Sequence, residues 1–79
     1  MDLVVRKMMT KVESSVLGAE FALKVKTEKE LNRNKTRLEK SLENLSLLTR
    51  FGKVDTEWLD TNKSRVWNKL FKIDKVLGV

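Results

Sequence analysis

An apolar stripe at alternating spacings of four and three residues constrains this chain more than any other feature. Val5, Met9, Val12, Val16, Ala19 and Leu23 carry it first, and Leu31, Leu38, Leu42 and Leu45 resume it after a polar stretch. That period gathers the residues on one side of an α-helix, whereas a half-buried strand would alternate every second residue. An apolar helical stripe of this kind has to lie against another helix, because it otherwise faces water. The ten residues are therefore expected to form the interface with a second copy of the chain or with a partner helix. Few breakers oppose long helices: proline is absent, and glycine occurs only at positions 18, 52 and 78. The expected fold is all-α, with coiled-coil or bundle-like packing.

Residues 3 to 25 read as one amphipathic helix, in which Ser14, Gly18 and Ala22 add a strip of small side chains that admits a close neighbour. The polar segment KVKTEKELNRNKTR, residues 24 to 37, leaves two architectures open. In one, a single helix runs from about residue 3 to residue 50. In the other, the chain folds back near Lys24 to Thr27 as a hairpin, with Thr27 and Glu30 at the spacing of a capping box. The eight-residue step from Leu23 to Leu31 is one that an unbroken helix absorbs as a stutter, which tilts the balance toward the continuous form. Along the second stretch, Leu31, Leu38 and Leu45 are seven apart with Leu42 between the last two. Lys35 takes the corresponding slot one heptad earlier, where a charge fixes register at some cost in stability.

Gly52, preceded by Arg50 in the last turn, marks a helix end, since glycine adopts the left-handed conformation of a C-cap without strain. Asp55 or Thr56 then caps a further helical segment over about 55–77. Thr61, Asn62 and Ser64 allow a second start within it. The organisation expected is one small domain over residues 1–79. Within it, 3–50 is the helical region for oligomerisation or partner binding, and 53–79 is a basic amphipathic tail.

Composition narrows the function. With no cysteine, histidine or tyrosine, no glycine-rich phosphate loop and no serine in a nucleophile elbow, catalysis is not expected. Asp55, Glu57 and Asp60 are accounted for as cap and first-turn residues rather than metal ligands. No cofactor, metal or small-molecule substrate is expected. The longest nearly apolar stretch, Val16 to Leu23, contains Glu20 and is too short to span a bilayer. Asp2 stands where a signal peptide would be basic. The expected setting is the cytoplasm or the inside of a virion, in keeping with a viral, plasmid or chromosomal protein.

Seventeen basic against eleven acidic residues leave a net charge of +6, which favours anionic partners. In the tail, Val66, Leu70, Ile73 and Leu77 form an apolar face, widened by Trp67 and Phe71, while Arg65, Asn68, Lys69, Lys72 and Lys75 fill much of the opposite side. Nucleic acid is the leading partner, held by this arc and by a second patch of Arg33, Lys35, Arg37 and Lys40 through phosphate neutralisation. The segment VDTEWLDTNKSRVWNKLFKI also loosely resembles a helix-turn-helix with Lys63 to Leu70 as its recognition helix. Against that stand a very short first helix and Asp60 in place of the usual turn glycine. A membrane surface is a weaker fit. Two further readings compete. In one, Trp58, Trp67, Leu70 and Phe71 are core residues and the lysines merely a wet face. In the other, the chain is a protein-interaction module, an adaptor, assembly subunit or inhibitor, docking through its heptad seam.

Overall fold

In the computed structural model, which describes residues 2–78, the chain forms three α-helices. Helix α1 spans Leu3–Val25, α2 spans Glu28–Phe51 and α3 spans Thr56–Leu77. Each begins on a side-chain cap that satisfies an otherwise orphaned backbone donor. The Asp2 carboxylate accepts from the Val4 amide at 2.8 Å, the Thr27 hydroxyl from the Glu30 amide at 3.3 Å, and the Asp55 carboxylate from the Glu57 amide at 2.9 Å. Each ends on a residue in the left-handed conformation: Lys26, Gly52 and Gly78.

The hairpin therefore prevails over the continuous helix. Lys26 at φ 54° bends the backbone out of α1 while donating its amide to the Ala22 carbonyl at 2.8 Å, and Thr27 in extended conformation starts α2 immediately afterwards. A two-residue connection forces α2 to run back antiparallel along α1. The four residues from Gly52 to Asp55 return the chain for α3, which packs on both earlier helices. Helices of 22 to 24 residues are about 33–36 Å long. The molecule measures 37 × 19 × 15 Å, so the three lie side by side along its long axis. Helix α3 runs unbroken through Asp60 to Leu77, which removes the turn that a helix-turn-helix requires.

The seam predicted to meet a second chain is closed within one chain. Val5, Val12, Val16 and Ala19 of α1 and Leu31, Leu38 and Leu45 of α2 are buried, and Met9, Leu23 and Leu42 pack against them. They meet Leu48, Leu59, Val66, Leu70 and Ile73 in a single core. Their burial follows from the hairpin: folding α2 back and adding α3 supplies intramolecularly the apolar surface that a lone helix would have sought elsewhere. The inward register of α2 also differs from the all-leucine reading. Asn34, Ser41 and Leu48 occupy the positions three residues after Leu31, Leu38 and Leu45, while Lys35 and Leu42 sit on the flank toward α3.

Small and polar residues let α1 and α2 approach closely. Ser41 donates to the Ser15 hydroxyl at 2.7 Å, and Ser15 donates to the Val12 carbonyl at 2.7 Å. Next to them, a Cβ on Gly18 would lie 2.5 Å from Asn34 Oδ1 and 2.8 Å from an Arg37 guanidinium nitrogen. The small strip of α1 is therefore a contact with the chain's own second helix. The aromatic residues divide. Leu70 is buried and Trp58 half-buried against the core, but Trp67 and Phe71 are 61% and 69% exposed. The expectation that all four make a core fails for these two, because they lie on the outer edge of α3.

Candidate nucleic-acid interface

The hairpin brings cations from separate parts of the sequence onto the two flanks of α1. On the α2 side, Lys11 joins Arg37 and Lys40 along a groove of about 490 Å³ whose remaining polar lining is Thr10, Ser14, Thr36 and Asn44, with the paired serines at its base. No carboxylate lines it. Arg37 is steadied by Asn34, which accepts from its guanidinium at 3.5 Å while donating to the Glu30 carbonyl at 2.9 Å. Cations, hydroxyls and amides are the side chains that contact phosphate oxygens.

On the α3 side of α1, Lys69, Lys72 and Lys75 converge with Lys26 from the interhelical turn. Glu20 is the acidic residue lining this shallow groove, and it lies 3.7 Å from the Lys69 ammonium. Lys69 is thereby partly engaged. Lys72 and Lys75, one helical turn apart or less, keep their charge toward solvent.

The remaining predicted residues scatter. Arg33 is exposed, 3.9 Å from Glu30, and Asn68 lies exposed on the outer face of α3. Arg65 borders a different groove whose other lining includes Glu13, Asp55 and Glu57, so its surroundings are acidic. Lys35 faces α3 and is bound to Asp74 at 2.8 Å. That hydrogen bond, reinforced by the charges of Asp74 and Glu39, raises its pKa above the ordinary 10.5 in spite of some desolvation. Its charge is thus spent on joining α2 to α3 rather than on a ligand.

Sequence reasoning missed Lys11 and Lys26. Lys11 lies on the same flank of α1 as Ser15 and Gly18, and only the antiparallel register of α2 shows that it lines the same groove as Arg37 and Lys40. Lys26 stood in a segment read as either helix or turn. Its signal would have been a lysine followed directly by the Thr27 cap. Among the described residues, no cluster of histidine, cysteine and carboxylate side chains is arranged to hold a metal ion, and no helix is long and apolar enough to cross a membrane. Compared with known proteins, the chain matches no family model, no curated protein and no solved structure.

Proposed function

We propose that this protein is a small non-catalytic nucleic-acid-binding module that grips phosphates with the basic flanks of a three-helix bundle. The observation that carries the reading is the carboxylate-free groove between α1 and α2, where Lys11, Arg37 and Lys40 line up with four neutral hydrogen-bonding side chains. Lys26, Lys72 and Lys75 extend the positive surface on the other side of α1. Lys26 adds a second support. A lysine in the left-handed region is strained where glycine would not be, and strain of this kind is retained where a side chain is needed. Arg33, Asn68 and Lys69 are marginal contacts in this reading, and Lys35 and Arg65, each beside carboxylates, are not part of it.

The test is a titration of labelled duplex DNA, single-stranded DNA and RNA at roughly 50 and 200 mM salt. Binding should weaken steeply over that range. Replacing exposed Lys72 and Lys75, or Lys11 and Lys40, by glutamine should lower the slope of log K against log salt by about 0.9 for each duplex phosphate that is no longer neutralised. No binding at the lower salt, or unchanged slopes in both variants, would sink the proposal.

A second reading, a protein-interaction module, is favoured by one observation. Leu17, Phe21 and Val25 form an exposed apolar row on α1. The seam itself is buried, so docking of a partner helix or a second copy would use this row instead. The same glutamine variants separate the readings, since they should leave capture of a protein partner intact.

A further inference from the structure

Helix α3 carries two large aromatic side chains that its core does not use. Trp67 and Phe71 are 61% and 69% exposed, although they sit on the helix richest in lysine within the tail. They are four residues apart, with Lys63 four residues before Trp67 and Lys75 four residues after Phe71. Residues at that spacing are neighbours on a helix surface, each about 6 Å further along the axis. The row Lys63, Trp67, Phe71, Lys75 therefore crosses the outer side of α3 from the α2 flank to the α1 flank, an aromatic pair between two cations. Trp67 and Lys63 also border a groove of about 360 Å³ against α2, where Arg50 supplies another cation, Ser46 and Thr49 supply hydroxyls, and no carboxylate is present.

Resting on the nucleic-acid reading, we infer that this face of α3 binds single-stranded nucleic acid, with bases stacked on Trp67 and Phe71 and phosphates held by Lys63, Lys75 and Arg50. Charge complementarity selects the occupant. A second copy of the chain would bring the same cations against these and be repelled. A polyanion neutralises them. Geometry selects the strand. Bases in a duplex are stacked about 3.4 Å apart and present only their edges, so they offer no face to an aromatic ring. Rings displaced by about 6 Å along a helix suit the bases of an extended single strand, each of which has a free face. Stacking of this kind tolerates any sequence because every base has such a face.

The experiment uses the full chain with a twelve-nucleotide oligo(dT) and with a duplex of the same length, at roughly 50 mM salt. Single strand should bind more tightly and quench tryptophan fluorescence in step with binding. Trp67→Leu combined with Phe71→Leu keeps every charge. It should lower single-strand affinity by about tenfold or more, with duplex affinity changed less than about twofold. Because both rings are exposed, the variant should retain the helical circular dichroism of the parent, and quenching of the unaltered protein tests stacking without any variant. If both nucleic acids bind but neither quenching nor selective loss appears, the stacking proposal is wrong while the phosphate-binding reading stands. If neither binds, both fall. Two other results overturn it: a mass in solution that drops on Trp67→Leu, which assigns the face to self-association, and a tryptophan response to phosphatidylglycerol vesicles but not to oligo(dT), which assigns it to lipid.

Discussion

The paired hydroxyls of Ser15 and Ser41 are the most consequential residues of the α1–α2 interface. Both are almost fully buried, and they form a chain from Ser41 through Ser15 to the Val12 carbonyl. Removing Ser15 leaves the buried Ser41 hydroxyl without its acceptor, whereas removing both leaves no such orphan. Ser15→Ala should therefore cost about 1–3 kcal/mol in chemical denaturation, and the further change Ser41→Ala should restore much of that loss. Strictly additive costs in the double variant would show that the hydroxyls are not coupled. These residues are hard to read from sequence. An apolar-only pattern passes over serine and asparagine, and so selects Leu42 and Lys35, one position along from Ser41 and Asn34. The physical reason is that close helix approach rewards small side chains that satisfy each other, even at the expense of apolar area. Gly18 tells the same story from the other side: its missing Cβ makes room for Asn34 and Arg37.

At the scale of elements, caps were legible and the choice between hairpin and long helix was not. Asp55 and Gly52 announced themselves because aspartate and glycine do at helix ends what most residues do poorly. Thr27 was equally visible as a cap, but the residue before it is lysine, which no rule places in the left-handed conformation. The three helix ends thus share one backbone geometry with different residues in it: glycine at 52 and 78, lysine at 26. Lys26→Gly should relieve about 1 kcal/mol of strain, less the entropy that glycine loses on folding, and raise the thermal midpoint by up to about 4–8 °C. The same change should weaken nucleic-acid binding by removing a cation from the cluster with Lys72 and Lys75. A gain in stability without any loss of binding would place Lys26 outside the interface. Opposite signs for stability and binding would identify Lys26 as a residue kept for function against the preference of its own turn.

For the whole molecule, the hairpin decides what the net charge of +6 can do. A continuous helix over about residues 3–50 would have kept Lys11, Lys26 and the cations of residues 33–40 strung along a rod. Folding α2 and α3 onto α1 instead sets both basic flanks within a body 19 × 15 Å in cross-section. The number of charges and their helical faces could be read from the sequence, while only the register between helices determined which of them found a carboxylate: Lys35 bound to Asp74, and Lys69 partly engaged by Glu20. Self-repulsion among the rest opposes the compact state, and both salt and a polyanion relieve it. These two agents should nevertheless act differently. Salt alone should raise the thermal midpoint gradually by screening. A bound nucleic acid stabilises the folded state by about 2.7 kcal/mol at a hundredfold excess over its Kd, which for a domain of this size is a rise of roughly 10–20 °C. Because binding itself is screened, that larger rise should shrink between roughly 50 and 200 mM salt even as the free protein becomes more stable. Converging melting curves at the higher salt would therefore identify phosphate contact as the source of the shift. A shift indifferent to salt would mean that the ligand is held by its bases rather than its backbone, and the aromatic row on α3 would then be the dominant site.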